Sequence, residues 1–131
     1  MNIKALVIGY GSIGKRHAEI LDSMSDIECV EILSNQAQLP FKTINELEEI
    51  PKLKPDYVVI ASSTSLHREQ LEFLDEKLNG RTILVEKPLF DNYYEMNVNN
   101  NRVFVGYNLR FHPLIQKVRD ILSGRKLWNL Q

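Results

Sequence analysis

The N-terminal residues combine a buried strand, a glycine-rich turn and an amphipathic helix. Residues 3–8 form a short, nearly continuous apolar run, which is typical of a strand covered on both faces of a parallel sheet. The run leads directly into Gly-Tyr-Gly-Ser-Ile-Gly at residues 9–14, and apolar side chains then recur at helical spacing as far as Met24. A strand, a glycine turn and a helix in this order predict the start of a nucleotide-binding α/β domain.

Each glycine of the turn has a physical role in such a domain. Gly9 permits the tight turn, Gly11 lets a ligand approach the backbone, and Gly14 lets the helix pack close to the strand. The free N–H groups near Ser12 and Ile13 lie at the positive end of the helix dipole. We therefore expect these residues to bind the diphosphate of a dinucleotide.

Strands and helices alternate along the rest of the chain. Further strands are predicted at residues 27–33, 57–61, 82–85 and 103–105, and longer helices at 66–78 and 114–122. A capping-box pattern at residues 43–46 predicts a short helix to about Ile50, and one or two helical turns are expected around Asp91–Met96. This alternation predicts a single α/β domain with a doubly wound (Rossmann), mostly parallel sheet. In such a sheet, ligands bind beyond the carboxyl ends of the strands.

Composition excludes several classes of function. The net charge is −1, with 16 basic and 17 acidic residues, so no overall positive field attracts nucleic acid or an anionic membrane. The apolar runs are too short for a membrane-spanning helix, and no metal site is predicted. The lone cysteine, Cys29, excludes an intrachain disulfide, which favours a cytoplasmic location. We expect Cys29 to be a small buried hydrophobe.

The end of the second strand bears on the choice between NAD and NADP. An acidic residue at this position normally binds the adenosine ribose of NAD, but Ser34 and Asn35 are neutral and Glu31 comes too early. The missing carboxylate makes NADP permissible. No arginine follows at once, and Lys42 is the nearest candidate for a phosphate. NAD and NADP both remain open.

Four segments in order resemble the glucose–fructose oxidoreductase/inositol dehydrogenase (Gfo/Idh/MocA) family. They are GYGSIGKRH at residues 9–17, ASSTSLH at 61–67, EKP at 86–88 and GYNLRFHP at 106–113. Ser63 stands where the family usually has proline. The resemblance covers essentially the whole chain. It implies an NAD- or NADP-dependent oxidoreductase that acts on a hydroxyl or carbonyl carbon of a sugar, cyclitol or nucleotide-linked sugar.

The resemblance also implies roles for individual residues. Lys87 would lie at the nicotinamide end, donate to the reacting oxygen and assist proton transfer, which suits an ammonium beside a forming alkoxide. Glu86 would contact the nicotinamide ribose or orient this lysine. His17, on the apolar face of its helix, is expected to be structural. Further residues expected near the cofactor or substrate are Ser62, Thr64, His67 and Arg110.

The family's second domain is not expected within this chain. Residues 1–124 are predicted to be the dinucleotide-binding domain, and residues 125–131 to begin the connection to a C-terminal α/β domain. By the resemblance, that domain supplies most of the substrate pocket and the usual interface between identical subunits. We therefore expect little or no turnover from this chain alone. The alternative is a non-catalytic NAD(P)-binding module or partner subunit.

Overall fold

A parallel sheet forms the centre of the structure, a computed structural model that describes residues 2–86 and 100–106. Its strands are β1 (Ile3–Ile8), β2 (Ile27–Leu33), β3 (Lys42–Ile44), β4 (Tyr57–Ile60), β5 (Thr82–Glu86) and β6 (Arg102–Gly106). They are arranged β3-β2-β1-β4-β5-β6, and every neighbouring pair is parallel. The chain therefore moves outward from β1 in one direction and then from β4 in the other. This confirms the predicted doubly wound α/β fold.

The sheet is covered on both faces. The helices of the described residues are α1 (Ser12–Asp22), a 3-10 turn (Leu47–Glu49), α2 (Ile50–Leu53) and α3 (Thr64–Lys77). Along β1, Leu6 and Ile8 pack in the cluster that contains Leu71 of α3, whereas Val7 packs in the opposite cluster with Leu21 of α1. Because successive side chains of a strand point to opposite faces, the continuous apolar runs supply both clusters.

The segment after β2 differs from its prediction. Thr43 lies in strand β3, opposite Ile32 of β2, so the helix expected to begin there is wrong. A capping box exists three residues later, between Glu46 and Glu49. The β-branched Thr43 and Ile44 suit an extended strand, and pairing with β2 outweighs the local capping pattern.

Two smaller expectations can also be compared with the structure. Helix α3 begins at Thr64, two residues before the predicted start. Cys29 is only partly buried, because it lies near the exposed first residues of β2. Partial burial, with a smaller contribution from Glu31, raises the pKa of the Cys29 thiol, which disfavours the reactive thiolate. The helices predicted around Asp91–Met96 and at 114–122 lie outside the described residues.

A polar network fixes the two residues that precede β6 against the end of α3. Asp75 is buried, and its Oδ1 accepts the Asn100 N–H at 3.1 Å and the Asn101 side-chain amide at 3.0 Å. The Asn101 amide also donates to the Leu78 carbonyl, while its oxygen accepts the Arg81 N–H. These bonds occupy peptide groups that the helix and strand ends would otherwise leave unsatisfied.

None of the helices between residues 2 and 86 combines the length and apolar character needed to cross a membrane.

Replacing Asp75 by alanine should lower the free energy of unfolding by about 1–3 kcal/mol, because two partly buried hydrogen bonds to its Oδ1 are lost. Urea denaturation followed by circular dichroism measures this loss. Asp75→Asn, which keeps one acceptor oxygen, should lose less. The control is Glu76→Ala, an exposed neighbour, and equal effects of Asp75→Ala and Glu76→Ala would contradict the network's role.

Candidate functional site

The turn after β1 is held by close backbone contacts. Gly9 adopts a φ of +96°, a conformation that L side chains rarely adopt. A Cβ at Gly9 would also lie 2.8 Å from the carbonyl oxygen of Ala61, just after β4. On the other side, a Cβ at Gly14 would overlap the carbonyl oxygen of Gly9. Glycine is therefore required at Gly9 and Gly14 by the packing of the turn itself.

Gly11 has the opposite surroundings. A Cβ at this position would meet no atom within 4 Å, so the fold itself does not require glycine here. Gly11 is also the N-cap of α1 and has no side chain to accept from the first N–H groups of the helix. The first turn of α1 contains no acidic residue. The backbone of Ser12 and Ile13 thus offers hydrogen-bond donors and a positive helix end to an anion.

A cavity of about 790 Å³ lies beside this turn, at the carboxyl ends of β1, β2, β3 and β4. Its volume is within the range of small-molecule and cofactor sites. The structure brings together on its wall the following predicted residues: Gly9, Gly11, Ser12, Ile13, Ser34, Asn35 and Ser62. The cavity also lies where the strand order reverses, between β1 and β4, which is where ligands bind in open α/β sheets.

The cavity wall also contains residues that the sequence reasoning missed. They are Tyr10, Asn45, Glu46, Leu47, Glu48, Ser63, Leu66, Glu69 and Gln70. Residues 45–48 follow β3, whereas the capping-box pattern at residues 43–46 predicts the start of a helix there. Recognising Thr43-Ile44 as extended would have placed them at the carboxyl edge of the sheet.

Hydrogen bonds fix the end of β2 within this wall. The Ser34 N–H donates to the Ile44 carbonyl at 3.0 Å, and the Asn45 side-chain amide donates to the Ser34 carbonyl at 2.9 Å. Glu31 and Lys42 do not line the cavity; the Lys42 Nζ lies 3.6 Å from a Glu31 carboxylate oxygen. Ser34 and Asn35 therefore line the cavity, whereas the charged residues Glu31 and Lys42 do not.

His67 supports the loop after β4 through a contact with its backbone. It is buried, and its Nε2 lies 2.9 Å from the Ser62 carbonyl oxygen. The Ser62 hydroxyl lies 2.5 Å from Oε1 of Gln70. Gly14, Thr64 and His67 are not part of the cavity wall. Gly14 packs against the turn, His67 contacts the loop, and Thr64 is the first residue of α3.

Glu86 lies at the end of β5 and contacts the helix that follows the glycine turn. Its Oε1 lies 2.5 Å from Nε2 of His17, and the two side chains are 15% and 1% exposed. On the same face of the sheet, burial raises the pKa of Tyr57, with a further contribution from Glu86. His17 is buried, as expected of a structural residue. Lys87 and Arg110 lie outside the described residues.

Within residues 2–86 and 100–106, no group of three or more His, Cys, Asp or Glu side chains is placed to hold a metal ion.

Comparisons with known proteins agree with this fold. The Gfo/Idh/MocA model, described as an oxidoreductase family with an NAD-binding Rossmann fold, matches residues 3–102. A search of curated proteins gave no match. Among solved structures, UDP-N-acetylglucosamine 3-dehydrogenase GnnA from Acidithiobacillus ferrooxidans is 25% identical with a TM-score of 0.55, over 69% of this chain and 31% of that chain.

Two further solved structures share the fold at lower identity. The WlbA dehydrogenase from Bordetella pertussis, in complex with NADH and UDP-GlcNAcA, is 22% identical with a TM-score of 0.65, over 95% of this chain and 43% of that chain. The myo-inositol 2-dehydrogenase from Lactobacillus plantarum is 18% identical with a TM-score of 0.70, over 94% of this chain and 41% of that chain. The chain thus spans less than half the length of these structures.

The unequal surroundings of Gly11 and Gly14 predict unequal effects of the same substitution. Gly14→Ala should destabilise the protein by about 1–3 kcal/mol because the new methyl group overlaps the Gly9 carbonyl, although alanine is the better helix former. Gly11→Ala should cost less, because nothing obstructs the new methyl group and only the preference for glycine over alanine at an N-cap is lost. Urea denaturation of both variants measures the difference, and a Gly14→Ala protein as stable as the parent would contradict the close packing.

Proposed function

Because the chain belongs to the Gfo/Idh/MocA oxidoreductase family, we propose that it binds a nicotinamide dinucleotide at the cavity beside the glycine turn. The observation that carries this proposal is the open space at Gly11 in front of the uncapped start of α1. A side chain there would occupy open space at the cavity wall without a clash. Backbone N–H groups at a helix start are the donors that a diphosphate requires, so the residues present fit the cofactor.

We further propose that the protein transfers hydride between this cofactor and a hydroxyl or carbonyl carbon of a sugar, cyclitol or nucleotide-linked sugar. The names of the similar structures support this substrate class, since they include a UDP-N-acetylglucosamine dehydrogenase and an inositol dehydrogenase. The substrate domain, the division at residue 124 and the association of identical subunits stay predictions. Little turnover by residues 1–131 alone and a cytoplasmic location also stay predictions.

The proposed roles follow the order of the strands along the carboxyl edge of the sheet. Ser12 and Ile13 bind the diphosphate, while Ser34 and Asn35 on the β2 side contact the adenosine ribose. On the β4 side, Ser62 and the start of α3 at Thr64 border the path toward the nicotinamide. His67 fixes the Ser62 carbonyl and so positions this loop.

The nicotinamide end is assigned to residues at and after β5. The bound cofactor supplies or accepts the hydride. Lys87 donates a hydrogen bond to the reacting oxygen and holds its proton, which stabilises developing negative charge there. Glu86, which contacts His17, orients Lys87. Arg110 contributes positive charge near the substrate.

Gly11→Val should leave the protein folded and abolish dinucleotide binding, because the valine side chain occupies the space proposed for the diphosphate. Isothermal titration calorimetry with NAD⁺, NADH, NADP⁺ and NADPH measures binding, and circular dichroism checks the fold. Glu28→Val, which places the same side chain at an exposed position near the start of β2, is the matched control. Unchanged affinity in Gly11→Val would rule out the glycine-turn site.

Lys87→Ala should separate binding from chemistry. In a form that carries the substrate domain, NADH affinity should change less than about threefold, whereas turnover of a responsive sugar or cyclitol should fall by about 100-fold or more, the usual contribution of a general acid or base. Lys87→Arg, which keeps the charge but not the ammonium geometry, is the companion variant. Full activity of the Lys87→Ala protein would show that Lys87 takes no part in the reaction.

A further inference from the structure

We propose that this site selects NAD over NADP, and that the discriminating charges come from the loop after β3, chiefly Glu48, rather than from the end of β2. The inference rests on the proposed function, because it assumes that the adenosine ribose lies at the end of β2. It concerns the choice between NAD and NADP, which the neutral residues Ser34 and Asn35 leave open.

The loop after β3 is bonded directly to the end of β2. Ser34 donates its N–H to Ile44 and accepts the Asn45 side-chain amide at its own carbonyl. Both Ser34 and residues 45–48 line the cavity. A ribose that contacts Ser34 or Asn35 would therefore also face the loop that carries Glu46 and Glu48.

The capping box fixes the shape of this loop. Oε2 of Glu49 accepts the N–H groups of Asn45 at 3.1 Å and Glu46 at 3.0 Å, and the Glu46 side chain accepts the Glu49 N–H in return. The Glu46 carboxylate is therefore already engaged with the backbone. Glu48 is exposed and lines the same wall, and its carboxylate takes no part in the capping box.

The charged residues on this wall are all acidic among the described residues. None of the described residues that line the cavity is a lysine or an arginine, and Glu69 of α3 adds a further carboxylate. Lys42, at the start of β3, pairs with Glu31 and does not line the cavity. The cavity wall thus carries net negative charge beside the proposed ribose position.

NAD and NADP differ at the group that this charge would meet. The 2′-hydroxyl of NAD can donate a hydrogen bond to a carboxylate, whereas a phosphate monoester carries a charge of about −1.5 to −2 near neutral pH. Like charges at short range in a partly enclosed site repel strongly. The Glu48 side of the cavity therefore favours the hydroxyl and disfavours the phosphate.

The test is calorimetric titration of the 131-residue chain with NAD⁺ and NADP⁺ at low ionic strength. We expect NAD⁺ to bind at least about tenfold more tightly. Glu48→Gln should reduce this ratio by about threefold, and Glu48→Lys should reduce it further. Added salt should also reduce it, because ions screen exposed charges. Glu28→Gln and Glu28→Lys make the same charge changes near the start of β2 and should leave the ratio unchanged.

The outcomes separate this inference from the proposed function. Equal affinity for NAD⁺ and NADP⁺, or a ratio that responds equally to the Glu48 and Glu28 variants, would overturn the selection by Glu48 while leaving dinucleotide binding in place. Binding of neither cofactor would overturn the proposed function and this inference together. A ratio of NAD⁺ to NADP⁺ affinity that falls only in the Glu48 variants supports the selection by Glu48.

Discussion

The backbone of Gly9 makes the contact on which the site depends. Its positive φ turns the chain after β1, its Cα lies against the Ala61 carbonyl, and its own carbonyl lies against Gly14 of α1. Three chain segments thereby meet at one residue without a side chain between them. This close approach sets the distance between α1 and the loop after β4, and so the width of the cavity that they border.

The sequence was sufficient to predict the parts of the structure that depend on local pattern. Continuous apolar runs marked β1 and β4, and the glycine spacing marked the turn and the start of α1, because both patterns reflect requirements within a few residues. Strand β3 escaped detection because it has only three residues, Lys42–Ile44. Its extended state depends on pairing with β2, which no local pattern reveals.

The same reasoning explains which site residues were found. Ser34 and Asn35 follow a predicted strand, so their place at the carboxyl edge can be deduced from the sequence. The place of Glu48 depends on the pairing of β3 with β2, which the local pattern does not reveal. The contact between His17 and Glu86 joins residues 69 positions apart. An amphipathic pattern assigns His17 to the buried face, but it cannot name the partner across the sheet. Long-range polar contacts therefore need the fold before they can be predicted.

The network at the end of α3 has a consequence for how this architecture tolerates change. Because Asp75 fixes Asn100 and Asn101 through side-chain bonds, the alignment of β6 with β5 is set where β6 begins. The number of residues in the preceding crossover then need not determine which residues face each other. Lengthening or shortening that crossover during evolution would preserve the strand register as long as the aspartate and its two asparagine partners were retained.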